Sequence, residues 1–152
     1  MITSPLIGEY IEINTLNDHV FSQELLGKGI AILPSEGRVY APFDGQVVML
    51  FHTSHAIGLV SDENIELLIH IGIDTVNLDG KCFSPKVKTG DSFKKGDLLI
   101  EFDLQGISKA GYELFTPVIV TNSDLFDIEK ISKKSQLTHD DVVFYLGKKE
   151  VN

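Results

Sequence analysis

Short apolar segments recur along the chain, and glycine, proline and aspartate interrupt them at regular intervals. Alternating or continuous apolar residues over such lengths are typical of β-strands, whose successive side chains point to opposite faces. The predicted strands lie at residues 10–13, 29–33, 39–51, 56–60, 65–71, 98–102, 118–121 and 142–146, with 39–51 forming two strands around an Asp44–Gly45 turn. Many short strands at this spacing predict an all-β fold, an antiparallel β-sandwich or barrel.

Helical periodicity is weak by comparison. Only residues 17–26 and 105–110 have a spacing that favours a short helix. Turn residues such as Asp79 and Gly80 separate the other segments. No linker and no change of composition divides the chain, so we expect a single domain over residues 1–152.

Charge and cysteine content narrow the classes of function. The 152 residues include 13 Lys and Arg against 22 Asp and Glu, a formal net charge of -9. A nucleic-acid partner is not expected, because such domains normally carry a basic stripe, whereas an acidic surface suits a partner with a basic face. Cys82 is the only cysteine, which excludes an intramolecular disulfide. Without a secretory leader or an apolar stretch of roughly 18 residues, we expect a cytoplasmic chain with no direct membrane insertion.

A histidine interrupts one of the most apolar predicted strands. His70 follows Leu67, Leu68 and Ile69. Gly72 lacks a Cβ atom, so its carbonyl can approach an imidazole closely and accept a hydrogen bond from one ring nitrogen. The other nitrogen then keeps a lone pair that can attack phosphorus or bind a metal. The sequence therefore predicts a reactive nitrogen on His70.

A second imidazole is available at His55, two residues after Thr53. In an extended strand these two side chains share a face, with His52 on the opposite one, and the hydroxyl of Thr53 can fix the tautomer of His55. Asp74 is interpreted either as a turn residue or as an acceptor for a cationic side chain of a partner. The remaining histidines, His19, His52 and His139, are interpreted as ordinary structural or surface residues.

The order and spacing of several motifs resemble the glucose-type enzyme IIA family of the bacterial phosphoenolpyruvate-dependent sugar phosphotransferase system. The resemblance runs from about residue 8 to residue 148. Its anchors are Gly27-Lys28-Gly29-Ile30-Ala31-Ile32, Ala41-Pro42-Phe43-Asp44-Gly45, Thr53-Ser54-His55-Ala56, His70-Ile71-Gly72-Ile73-Asp74-Thr75-Val76, Lys95-Gly96-Asp97, Glu101-Phe102-Asp103 and Thr116-Pro117-Val118. It implies an antiparallel sandwich of the duplicated hybrid motif type with a few short helical turns.

The resemblance also implies a function, that of a phosphocarrier. His70 would accept a phosphoryl group from the phosphohistidine of the carrier protein HPr and pass it to a cysteine of enzyme IIB, for sugar uptake and phosphorylation. His55 would stabilise the phosphoryl group, and Thr53 would orient His55. The transient phosphohistidine replaces any cofactor. No metal is required, although two facing imidazoles can take up adventitious zinc or share one with a partner's carboxylate.

The implied partners are HPr, enzyme IIB and enzyme IIC of a sugar permease, and regulatory target proteins. Two carboxylates, Asp18 and Asp74, resemble the acidic residues that meet an arginine of HPr. The apolar docking surface corresponds to Val20, Phe21, Phe51, Leu68 and Val76. The chain begins too close to its first strand for the membrane-touching tail of some members. Its ends favour a free-standing protein slightly over a domain of a larger permease, and both alternatives stay open. The sugar stays open.

Three other interpretations compete with this one. A zinc hydrolase would use the His-x-x-x-Asp spacing of His70 and Asp74 with His55 as third ligand, but the last third of the chain offers only His139. A biotinyl or lipoyl carrier domain would explain the similar turns at 41–45 and 87–97, but this chain has no suitable lysine beside Met49. A purely regulatory binding protein is compatible with the phosphocarrier, since phosphorylation adds about −1.5 to −2 charges.

Cys82 is interpreted as a partly buried small apolar residue.

Overall fold

This computed structural model describes residues 1–149, which form mainly antiparallel strands. The strands are β1 (Ile2–Thr3), β2 (Gly8–Ile11), β3 (Lys28–Pro34), β4 (Arg38–Tyr40), β5 (Gly45–Leu50), β6 (Ala56–Ser61), β7 (Glu66–His70), β8 (Phe83–Pro85), β9 (Ser92–Phe93), β10 (Leu98–Phe102), β11 (Thr116–Val120), β12 (Phe126–Lys130) and β13 (Val142–Lys148). The helices are α1 (His19–Ser22), α2 (Leu104–Lys109) and 3₁₀ turns at Ile13–Thr15, Thr75–Leu78 and Ser123–Leu125. Residues 150–152 of the expected domain lie outside the described part.

Seven strands form the main sheet, in the order β2-β3-β11-β7-β6-β5-β9. Two smaller sheets have the orders β1-β13-β12 and β4-β10-β8. One apolar cluster joins all three, since it contains Ile69 of the main sheet, Phe144 of β13 and Ile100 of β10, each fully buried. The predicted all-β antiparallel architecture is confirmed.

The alternation along β7 decides which side chains reach the outer face of the main sheet. Leu67 and Ile69 are buried in the core, at 1% and 0% exposure. The intervening Leu68, and His70 at the end of the strand, are half-buried. Because side chains alternate along a strand, His70 points away from the core and towards the surface.

The predicted hairpin over residues 39–51 is wrong. β4 belongs to the sheet with β10, whereas β5 pairs with β6 and β9 in the main sheet. Pro42 cannot donate a backbone hydrogen bond. Asp44 accepts from the amide nitrogen of Lys95 through its side chain, at 2.8 Å, and from the amide of Asp62 through its carbonyl. The segment therefore crosses between sheets instead of closing a two-residue turn.

The predicted helix over 17–26 exists in shorter form as α1, and the predicted helix over 105–110 is displaced by one residue in α2. Asp18 caps α1, accepting from the amide nitrogen of Val20 at 2.9 Å, and Asp103 caps α2 through the amide of Gly106 at 3.0 Å. The segment around α1 buries Phe21 against Ala31 and Ile119 in a second apolar cluster. This segment covers one part of the sheet's outer face, and Leu68 packs against the cluster from the sheet and stays half-buried.

We predict that Leu59→Ala destabilises the protein by about 2–5 kcal/mol, because Leu59 is 1% exposed in the centre of the core. The matched control is Val48→Ala in β5. Val48 lies at an irregularity of the β5–β6 register and is 55% exposed, so its truncation should change the free energy of unfolding by less than about 0.5 kcal/mol. Urea denaturation of both variants measures the difference; equal losses would contradict the described core.

Candidate active site

Strand pairing brings the two predicted imidazoles together. Ala56, the first residue of β6, lies opposite His70, the last residue of β7. The amide nitrogen of Ile71 donates to the carbonyl of His55 at 2.8 Å, which extends the pairing by one step. The ring centroids of His55 and His70 are 4.8 Å apart, with an interplanar angle of 83°. The edge of one ring therefore faces the other ring.

The ring of His70 has a fixed tautomer. Its Nδ1 lies 2.7 Å from the carbonyl oxygen of Gly72, which can only accept, so Nδ1 carries the hydrogen. The Nε2 atom then keeps its lone pair. Phe21 packs against the ring with centroids 5.0 Å apart, and the side chain stays half-buried. This arrangement leaves the lone pair of Nε2 on a half-buried ring at the end of β7.

Burial lowers the pKa of His70, although the carbonyl of Gly72 and the carboxylates of Asp18 and Asp74 oppose the shift. The ring is therefore neutral near pH 7. A protonated imidazole has no lone pair to offer, so a lowered pKa favours the reactive form.

Glycine is required at the residue that fixes this tautomer. Gly72 has a φ of +75°, a region that other residues rarely adopt. A Cβ atom there would lie 2.6 Å from Cγ2 of Thr75 and 2.9 Å from the carbonyl oxygen of Glu113. The turn after β7 therefore packs too closely for any side chain.

Thr53 contacts His55, but for a different reason than the one predicted. Its Oγ1 lies 2.5 Å from Nδ1 of His55, and both side chains are 4% exposed. Residues 52–55 form a turn rather than an extended strand, with Ser54 at a φ of 59° and its amide bonded to the carbonyl of Phe51 at 2.7 Å. The contact arises from this turn, and the prediction that both side chains share one face of a strand is wrong. His52 is exposed.

His55 is a stronger case of a neutral imidazole. Its pKa is lowered to about 4, mainly by burial and to a smaller extent by the neighbouring His70 and His52, because like charges repel. Phe51 packs against the ring edge-on, with centroids 5.7 Å apart. When the hydroxyl of Thr53 donates to Nδ1, the hydrogen of His55 resides on Nε2, where it can donate to an anion.

The remaining predicted residues surround the two histidines unevenly. Val20 and Val76 are 42% and 46% exposed, Phe51 and Leu68 are half-buried, Asp18 is half-buried and Asp74 is exposed. Phe21 is only 6% exposed, so it supports the ring of His70 and offers little area to a partner. Its role as a docking residue stays a prediction.

The remaining histidines and the cysteine are not part of the imidazole pair. His19 is exposed, and the ring of His139 stacks on Tyr40 with centroids 4.7 Å apart. Cys82 is half-buried. Among residues 1–149, no group of three or more His, Cys, Asp or Glu side chains is placed to hold a metal ion. The zinc hydrolase therefore lacks a ligand set in the described chain.

Two buried threonines next to the site were missed by sequence reasoning. Thr75 and Thr116 are 0% exposed, and their hydroxyls bond the turn that follows His70. Thr75 and Thr116 both stand inside motifs quoted above, but the sequence carries no signal that assigns their hydroxyls to a particular peptide group.

Comparison with known proteins shows the family and agrees with the fold. The family described as "phosphoenolpyruvate-dependent sugar phosphotransferase system, EIIA 1" matches residues 1–139. Glucose permease IIA from Mycoplasma capricolum has the same fold, with a TM-score of 0.87 and 35% identity over 94% of this chain and 92% of that chain. The chain therefore belongs to the EIIA 1 family of the phosphoenolpyruvate-dependent sugar phosphotransferase system.

Longer relatives contain the same domain. The "PTS system beta-glucoside-specific EIIBCA component" of Dickeya chrysanthemi is 54% identical over 80% of this chain, and that of Bacillus subtilis is 47% identical over 88%. The chain spans only 19% and 22% of these proteins. No helix within residues 1–149 has the length and apolar character needed to cross a membrane.

We predict that the protein loses stability as the pH falls from about 6.5 towards about 4, the pKa of His55. The unfolded chain binds a proton on this ring in that window and the folded chain does not, so protonation favours unfolding. The expected loss is on the order of 2 kcal/mol. Chemical denaturation at several pH values measures it. His55→Gln should lose less, and an equal loss would contradict the assigned shift.

Proposed function

We propose that this chain is a cytoplasmic phosphocarrier in which His70 receives a phosphoryl group from the phosphohistidine of HPr and delivers it to a cysteine of enzyme IIB. The observation that carries the proposal is the pair of facing imidazoles, with Nδ1 of His70 bound to the carbonyl of Gly72. Family membership supports the same role.

The reaction needs alignment and charge stabilisation rather than acid–base chemistry. In the first transfer, the lone pair on Nε2 of His70 forms the new P–N bond while the P–N bond of the donor breaks and the donor imidazole keeps the electron pair. In the second, a cysteine thiolate forms a P–S bond and the nitrogen of His70 recovers its electron pair. Because both carriers in the first step are imidazoles, the transfer is readily reversible.

His55 contributes electrostatic stabilisation. A neutral ring with its hydrogen on Nε2 can donate to an oxygen of the phosphoryl group on His70, and the 4.8 Å separation of the ring centroids suits such a contact. The negative phosphoryl group would in turn raise the pKa of His55. His55 therefore stabilises the loaded state without forming a bond to phosphorus.

The surroundings of the histidines suit a partner with a basic, partly apolar face. Asp18 and Asp74 supply negative charge, while Val20 and Val76 supply exposed apolar area. The chain as a whole carries a net charge of -9, which speeds encounter with a basic carrier without requiring tight binding. A carrier that transfers a group in both directions benefits from brief contacts.

The relatives suggest which acceptor to test first. Both EIIBCA proteins named above are β-glucoside-specific, so we propose the enzyme IIB of a β-glucoside permease as acceptor, with enzyme IIC as its membrane partner. Regulatory targets would distinguish the phosphorylated from the unphosphorylated face, because phosphorylation changes the charge of an apolar docking surface.

We predict that His70→Ala abolishes labelling when the protein is incubated with enzyme I, HPr and labelled phosphoenolpyruvate. His55→Gln should still accept the phosphoryl group but pass it to enzyme IIB at least about tenfold more slowly, since it loses a stabilising donor. His139→Gln, which lies apart from the site, is the matched control and should behave like the unmodified protein. Label on the His70→Ala variant would reject the assignment.

We predict that Asp74→Asn raises the KM for phosphorylated HPr roughly 2- to 10-fold with little change in kcat, because a rim charge acts mainly on association. Asparagine tolerates the left-handed backbone of Asp74, which has a φ of 60°, so the fold should persist. Asp127→Asn on β12 removes the same charge from another sheet and serves as control. Equal changes in the two variants would show that net charge, not the rim position, matters.

A further inference from the structure

We propose that Thr75 and Thr116 are positioning residues for His70. Their buried hydroxyls hold one peptide group, and the next peptide group along the chain supplies the carbonyl that bonds the ring of His70. The inference rests on the proposed function of His70. It concerns how the nucleophile is oriented, a role that neither threonine's position in the sequence motifs specifies.

The two hydroxyls bond opposite ends of one peptide group. The Oγ1 of Thr75 donates to the carbonyl oxygen of Ile71. The Oγ1 of Thr116 accepts from the amide nitrogen of Gly72 at 3.4 Å. The carbonyl of Ile71 and the amide of Gly72 belong to the same planar unit, so fixing both ends fixes the plane.

The next peptide group carries the carbonyl that orients the nucleophile. The carbonyl of Gly72 accepts from Nδ1 of His70 at 2.7 Å, and the amide of Ile73 in the same unit donates to the carbonyl of Glu113 at 3.1 Å. Two adjacent peptide planes are thus anchored, one by two side-chain hydroxyls and one by backbone.

The hydroxyl of Thr116 has a defined direction. It donates its own hydrogen to the carbonyl of Leu114 at 2.9 Å, so a lone pair is left for the amide of Gly72. The methyl group of Thr75 occupies the space beside Gly72, since an added Cβ would lie 2.6 Å from its Cγ2. Both threonines are 0% exposed, so water cannot replace a lost hydroxyl without a rearrangement.

A free glycine turn could rotate its carbonyl away from the histidine. Glycine has the widest backbone freedom of any residue, which makes external anchoring of Gly72 necessary for a single orientation. Without that anchoring the hydrogen of His70 would redistribute between Nδ1 and Nε2, and the fraction of rings with a lone pair on Nε2 would fall.

The test compares isosteric variants in the full chain. Thr75→Val and Thr116→Val remove the hydroxyls and keep the shape, while Thr75→Ser and Thr116→Ser keep the hydroxyls. The matched control is Thr3→Val, because Thr3 is a buried threonine of β1 whose Oγ1 also donates to a backbone carbonyl, that of Pro42. Nitrogen-15 NMR of the His70 ring reports its tautomer, and rapid-mixing assays with phosphorylated HPr report the transfer rate.

We expect the valine variants to show an increased Nε2–H tautomer and roughly 3- to 10-fold slower phosphorylation, as for the loss of one hydrogen bond. The effect should be larger at Thr75, because the bond at Thr116 is long. The serine variants should restore the tautomer, and Thr3→Val should leave tautomer and rate unchanged. Valine variants that fold with an unchanged tautomer would overturn the positioning role.

Two features keep this test separate from the proposed function. The tautomer is read without any phosphoryl transfer, so it decides the positioning role even if His70 carries no phosphate. If a valine variant fails to fold, amide exchange in the unmodified protein decides instead. The amides of Gly72 and Ile73 should then exchange as slowly as those of β7, and exchange at the rate of an open loop would overturn the proposal.

Discussion

The pairing of β6 with β7 is the constraint on which the site depends. It places Ala56 opposite His70, and the hydrogen bond from Ile71 to His55 continues the ladder just beyond the strands. Two imidazoles from segments fifteen residues apart thereby meet without a long connection, at an angle set by the sheet rather than by flexible loops. A one-residue slip of this register would turn His70 into the core and put Ile69 at the surface.

Around this pairing, burial keeps both rings neutral, but to different extents. His55 is almost completely buried and sits next to two other imidazoles, which lowers its pKa strongly. His70 is less deeply placed, and two carboxylates partly offset the effect of burial. The difference suits a division of labour in which His70 offers a lone pair and His55 offers a hydrogen.

Much of the fold could be predicted from the sequence, because alternation of apolar residues is a local property. Segments such as 98–102 coincide with β10, and the helical segment at 105–110 lies within one residue of α2. Short strands such as β1 and β9 were missed, since two residues carry no period. The prediction of a hairpin at 39–51 was wrong because the hydrogen-bond partners of Asp44 lie in distant segments, at Asp62 and Lys95. Local turn chemistry does not reveal such partners.

The candidate site, too, could be predicted from the sequence only where its contacts are local. His55, His70, Thr53 and the carbonyl of Gly72 were found from residue types at short spacing. Thr116 was not, since it acts on Gly72 across 44 residues of sequence. The reason given for the contact of Thr53 with His55 was also wrong, because a residue at positive φ converts the expected strand into a turn. Positive φ at a serine has no clear sequence signature.

The cap of α1 has a consequence for recognition. One oxygen of Asp18 accepts from the amide of Val20, and the same carboxylate favours a proton on His70. A cationic side chain that docks on the other oxygen would neutralise this influence and shift the ring further towards its unprotonated form. Since the ring is already neutral near pH 7, this shift leaves its charge unchanged, and the helix cap serves to present an oriented carboxylate oxygen to a cation of the proposed partner.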